Sequence, residues 1–314
     1  MKLTCNTPRK GALANIVATL TAIAVVVALP AAAQTVTRST TSAADLAATA
    51  QSPDRSQLGV YYRQLEQRLV SQGNLRQDRN AGARDAATLA RNFMAIAMRT
   101  EYGSGMSGSG SAAPLRRWEQ PIRIGVRFGA SVPAAQQRSD QAALTRVAQR
   151  LQRASGHPVG LTNGAANFHV LVLSDAERAN AGPILQQMVP GLSRNATRAV
   201  TRMGRNTFCM VIAIPAADPS QGIARAIAIV RAEHPPLMRQ SCMEEELAQG
   251  MGLSNDSPAA RPSIFNDDEE FGVLTRHDEL LLRMLYDDSL RPGMSPGSVN
   301  QHIGQLAQAV LARG

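Results

Sequence analysis

The chain has 314 residues, 33 basic against 24 acidic side chains, a formal net charge of +9 and three cysteines. At 44% apolar and 18% charged it has the composition of a folded protein, long enough to bury a sizeable core. Aromatic residues at 4% are too scarce for single-strand nucleic-acid platforms, the cysteine count excludes a disulfide-dense mini-protein, and one long apolar run excludes a polytopic membrane protein.

That run is N-terminal. Lys2, Arg9 and Lys10 precede the uncharged stretch Leu13 to Leu29, which ends at Pro30-Ala31-Ala32-Ala33-Gln34. A basic start, an apolar centre and a small-residue end predict a signal peptide over 1–33, and hence a periplasmic or secreted protein. The alternative is an uncleaved anchor, the one membrane association the chain offers. Both lysines lie in this segment, so the remaining basic charge is all arginine. Those arginines are scattered, and no nucleic-acid partner is expected. Cys5 leaves with the signal; Cys209 and Cys242 remain as an even pair in an oxidising compartment, which predicts a disulfide. Two buried free thiols are the alternative, and neither cysteine has the C-x-x-C spacing of a zinc pair.

Residues 34–54, rich in Ser, Thr, Ala and Gln, read as a disordered lead-in. Within 55–102 two helices are expected: Arg55 to Val70, with Leu58, Tyr61, Tyr62, Leu65 and Leu69 in helical spacing, and Arg84 to Tyr102, with Leu89, Phe93 and Ile96 on one face. An αα-hairpin is a natural arrangement for them. A Gly/Ser linker over 103–114 forms the clearest internal boundary. Beyond it the pattern is mixed α/β. Pro121 to Phe128 alternates as a strand, Asp140 to Ala154 is an amphipathic helix, and Asn167 to Leu173 is an apolar, central strand. A helix over Asp175 to Met188 follows, then strands over Phe208 to Ile214 and Ile223 to Arg231, the latter also compatible with helix. The domain is expected to span 115–290, with 291–314 a C-terminal tail carrying an amphipathic helix.

The most informative stretch is Ser241-Cys242-Met243-Glu244-Glu245-Glu246-Leu247-Ala248-Gln249-Gly250-Met251-Gly252-Leu253-Ser254-Asn255-Asp256. Ser241 and Glu244 have capping-box spacing, which predicts a helix starting at Ser241 and ending at the glycines. Glu245 and Gln249 share one face of it. A solvated acidic first turn favoured by the helix dipole is the plain reading.

From Glu245 to Asn255 the stretch resembles the metzincin peptidase motif H-E-x-x-H-x-x-G-x-x-H, with Glu246 at the general-base position and Gly252 at the turn. All three histidine positions differ: they hold Glu245, Gln249 and Asn255. Ser263-Ile264-Phe265-Asn266 resembles the Met-turn with Phe265 in the methionine place, and Leu274 to Asp287, with its Leu-Tyr end at Tyr286, resembles the C-terminal helix. The whole combination, including Arg291-Pro292-Gly293-Met294, is similar to the bacterial family called domain of unknown function 2927. The resemblance implies an α/β (α+β) zincin-like fold, a mixed sheet with packed helices behind a short helical N-terminal segment. Gly252, Phe265 and Tyr286 are structural in it, and Glu245, Gln249 and Asn255 converge.

One carboxylate and two amides make a poor zinc site, so no zinc is expected; oxygen donors suit a hard cation such as calcium better. Without zinc, Glu246 is expected to serve by hydrogen bonding rather than proton transfer. His234, before Pro235-Pro236, is expected in an exposed loop and His169 in the core. The functional expectation is a non-catalytic module of the cell envelope that binds a peptide or an envelope partner in the former cleft. The alternatives are a peptidase-like, metal-dependent hydrolase using Glu246 with atypical ligands, and a purely structural envelope protein.

Overall fold

The computed structural model describes residues 52–83, 85–101, 110–266 and 268–313. The expected signal peptide at 1–33, nearly all of the expected lead-in and the Gly/Ser run at 103–109 lie outside the described residues. Ser56 caps α1 (Gln57–Ser71) by accepting from Gly59 N at 3.0 Å, and Asp85 caps α2 (Ala86–Ala97) by accepting from Thr88 N at 2.7 Å. A two-residue ribbon, β1 (Arg99–Thr100) and β2 (Ser111–Ala112), leads to the main sheet.

The sheet contains β3 (Ile122–Phe128), β4 (Val159–Leu161), β5 (Phe168–Leu173), β6 (Cys209–Pro215) and β7 (Ile223–Arg231), in the order β4-β3-β5-β7-β6. All neighbours are parallel except β6, which runs antiparallel to β7 at the edge. The apolar run at 168–173 is central, as its composition predicts. Ile223–Arg231, open between strand and helix in the sequence, is a strand because β5 and β6 supply backbone partners on both sides.

Helices cover both faces. After β3 comes α3 (Ala134–Ser155), and after β5 come α4 (Asp175–Ala179), α5 (Gly182–Met188) and α6 (Arg194–Thr201). After β7 come α7 (Pro236–Gly250), α8 (Arg276–Leu285), α9 (Pro296–Asn300) and α10 (Ile303–Arg313). Alternate strand residues divide between two cores. Phe168, Val170, Val172, Ala228 and Val230 pack with α2, α3, α7, α8 and α10; Leu171, Met210, Ile227 and Ile229 pack with Leu185 and Val200 of α5 and α6.

Four sequence expectations change. The helix expected over 175–188 is two, because Pro183 has no N–H to give a continuous helix. The αα-hairpin does not form. Instead α2 joins the main core, while α1 packs through Tyr62 on Phe208, His234 and Met238. The helix expected from Asp140 begins at Ala134, and that expected from Ser241 begins at Pro236. With α2 and α10 in it, the main core reaches beyond 115–290 at both ends. No helix of the described residues is long and apolar enough to cross a membrane.

Candidate functional site

Three ties hold α7 against the rest of the protein. Proline at its first turn presets φ for the start, so Ser241 and Glu244 are interior and no capping box forms there. Glu244 instead accepts from Arg79 Nη1 and Nη2 (2.8 and 2.5 Å), Gln240 Nε2 (2.9 Å) and the Leu274 backbone N (2.8 Å). Arg239 Nε donates to Asp140 on α3 at 2.7 Å, a buried pair. Cys242 is disulfide-bonded to Cys209 at the start of β6, with Cα atoms 5.7 Å apart. One turn after the disulfide the helix presents Glu245, Glu246 and Gln249.

The end of α7 needs its glycines. A Cβ on Gly250 would lie 2.4 Å from the Phe168 ring, and one on Gly252, at φ +123°, 2.1 Å from the Arg116 carbonyl oxygen. Trp118 Nε1 donates to Gly250 O at 2.8 Å, and Tyr286 Oη to Met251 O at 3.0 Å. Phe265 is fully buried in the core. Its segment is tied to α8 through Asp278, which accepts from Ser263 Oγ (2.5 Å), Ile264 N (3.2 Å), and Thr275 N and Oγ1 (2.8 and 2.9 Å). Burial pushes the Asp278 carboxyl up to about 6, against the opposing pull of these hydrogen bonds.

Glu245, Glu246 and Gln249 face a cavity of about 530 Å3. Its other walls are Leu69, Glu101, the 206–209 segment entering β6, and Asp256, Asn266, Asp268 and Glu269. Arg231 shapes that entry by donating to the carbonyls of Met203, Gly204 and Thr207 (3.0, 2.7 and 3.1 Å). Glu246 is 4% exposed and its Oε2 has no hydrogen-bond partner among the described residues, so the hydrogen-bonding role expected of this side chain is unfilled at that atom. Burial pushes the Glu246 carboxyl well up, and the charges of Glu101 and Asp256 add to this. Half-buried Glu245 moves the same way, through burial first and then Asp256, Glu246, Glu269 and Glu101.

Of the three positions that align with the metzincin histidines, Glu245 and Gln249 line the cavity together. Gln249 Nε2 donates to Asp256 Oδ1 at 2.9 Å. Asn255 does not line the cavity: its Nδ2 donates to Ala95 O in α2 (2.9 Å) and to Asp256 O (2.6 Å). Asp256 stands in its place. Asp256 adjoins the motif in sequence, but Glu101 and Glu269 arrive from distant segments with no local signal. Among the described residues, no three His, Cys, Asp or Glu side chains are arranged to hold a metal ion.

The histidines serve elsewhere. His234 is fully buried, not in an exposed loop: it stacks edge-on against Tyr62 at 4.4 Å, with Nδ1 3.7 Å from Cys242 Sγ, because α1 covers it. His169 is half-buried rather than core, since Gly125 beside it leaves a groove open.

A second cavity, of about 540 Å3, follows the outer edge of β6. Ala226 N donates to Asn167 O and Ala232 N to Leu173 O, so Ala226, Ala228 and Val230 turn their backbone groups toward β5. The alternate residues Arg225, Ile227 and Ile229 therefore bond β6 through Ile214, Ile212 and Met210. Cys209, Val211 and Ala213 are left with N–H and C=O directed outward. Val211 and Ala213 line this second cavity, Cys209 lines the acidic one, and Glu101 lines both.

The chain belongs to the family described as Protein of unknown function (DUF2927), whose model matches residues 86–305, from the start of α2 into α10. No curated protein and no solved structure matches it.

Proposed function

We propose that this DUF2927 protein is an exported, metzincin-related module that binds an extended peptide along β6 and does not hydrolyse it. The carrying observation is the outer edge of β6, which pairs with no other strand among the described residues and whose outward backbone groups at Cys209, Val211 and Ala213 run from the acidic cavity into the second one. An added strand gains main-chain hydrogen bonds there, and pockets for alternate side chains give selectivity. Three outward residues at about 6.8 Å spacing accommodate a peptide of roughly five to seven residues.

The relationship to metzincins is supported by a parallel sheet closed by one antiparallel edge strand, followed by a helix carrying Glu246 and a turn at Gly252. Export is supported by the N-terminal pattern and by the disulfide, a bond suited to an oxidising compartment. Hydrolysis is disfavoured by the chemistry of the site. A general base activates water efficiently when a Lewis acid lowers that water's pKa from about 15.7 toward 7. Burial raises the Glu246 carboxyl, which disfavours its ionised, proton-accepting form.

The test is selection of binders from a displayed library of heptapeptides, followed by affinity measurement on the wild type and Ala213→Pro. That substitution removes one outward N–H and leaves the β7 ladder intact, so it should weaken binding at least roughly fivefold, the worth of one hydrogen bond. No selected binder, or binders indifferent to Ala213→Pro in a folded protein, would refute the reading. So would peptide cleavage abolished by both a chelator and Glu246→Gln.

A further inference from the structure

We infer that the acidic cavity is the specificity pocket of this groove and takes the guanidinium or ammonium group of a lysine or arginine side chain on the bound peptide. The inference rests on the reading of β6 as the peptide-binding edge and names what that peptide must carry.

The carboxylates of Glu101, Glu245, Glu246, Asp256, Asp268 and Glu269 share the cavity, and no arginine or histidine among the described residues lines it. Asp268 is paired with Arg261. An acidic cluster alone is a common surface feature. This one is also lined by a buried side chain, Glu246, whose Oε2 has no hydrogen-bond partner among the described residues. Burying a carboxyl without a partner costs free energy that a fold retains only for a reason, and an incoming N–H donor supplies the missing bond.

The kind of cation follows from size and arrangement. A cavity of about 530 Å3 has room for a side chain, and no three carboxylates among the described residues are set to enclose one ion. A planar guanidinium with five donors spreads over separated acceptors in a way a small metal ion does not. Cys209 is the first outward-facing residue of β6 and lines the cavity. A strand paired through Val211 and Ala213 therefore continues to the cavity mouth.

Cation binding at this site is coupled to protons. Glu245 and Glu246 bind protons more tightly than free carboxyls in the empty site, and a cation favours their ionised forms. Binding should release protons, and affinity should fall as pH is lowered.

The experiment uses the disulfide-intact protein and blocked heptapeptides of Val and Thr in which one arginine is walked through the positions, each paired with its neutral citrulline isostere. Calorimetry in two buffers of different ionisation enthalpy reads affinity and proton release. At one position arginine should bind roughly tenfold or more tightly than citrulline, with proton release, as a charge-assisted hydrogen bond predicts. Glu246→Gln and Asp256→Asn should each shrink that ratio. Equal affinity for arginine and citrulline at every position, with binding intact, overturns the pocket and leaves the groove. Loss of all peptide binding overturns both. Stoichiometric binding of calcium alone, abolished by Glu246→Gln, also overturns it and makes the cavity a metal site.

Discussion

Removing the Cys209–Cys242 disulfide should cost stability and peptide binding together. The bond closes a segment with a sequence separation of 33. In the chain-entropy treatment that restricts the unfolded state by about 12.5 cal/mol/K, or about 3.7 kcal/mol at 25 °C. For a domain of this size, about 2 °C per kcal/mol translates this into a fall of about 7 °C in Tm. The bond also joins the first residue of β6 to α7 one turn before Glu245 and Glu246. Without it, both sides of the acidic cavity lose their covalent tie. Urea unfolding of the oxidised protein, the reduced protein and the Cys209→Ala/Cys242→Ala double variant separates the loop effect from lost sulfur packing, since the reduced form keeps the sulfurs. A reduced protein whose midpoint and peptide affinity equal those of the oxidised form would refute the argument.

Gly252→Ala places a methyl group against the Arg116 carbonyl at a left-handed φ and should cost about 2 kcal/mol or more, measured by denaturant unfolding. Burial lowers His277 to about 4, so its neutral form favours the fold above pH 6.5 and that contribution declines as pH falls through 4, by up to about 3 kcal/mol. An NMR titration showing His277 protonated at pH 6 would contradict this. Asp278 acts oppositely: its carboxyl is raised to about 6, so its stabilising contribution is full below pH 3.8 and lost as pH rises through 6. The same titration, followed at the Asp278 carboxyl carbon, checks that midpoint. Glu246, raised by burial, has the same sign as Asp278, so Glu246→Gln should raise neutral-pH stability and weaken its dependence on pH. A less stable Glu246→Gln protein would show that its carboxylate is partnered in solution.

Much of the fold was legible in local pattern. Alternation at 122–128 and the apolar run at 168–173 are short-range features, and each became the element it predicts. The start of α7 was not, because Ser241 and Glu244 have capping spacing yet Glu244 is held by Arg79 and Leu274 from outside the helix. The disulfide was legible because the compartment expected from the N-terminal pattern and an even cysteine count leave few alternatives.

The candidate site divides the same way. Glu245, Glu246 and Gln249 share a helix face, so spacing alone puts them together. Whether the residue after the turn points inward depends on how the chain leaves Gly252, and here Asn255 bonds to α2 while Asp256 meets Gln249. Glu101 and Glu269 reach the cavity from residues far away along the chain, and β6 stands at the sheet's edge only because β7 inserts between β5 and β6. Periodicity determines which side chains share one element's face; the charge, size and open edge of a cavity are properties of several elements at once, and only their packing decides them.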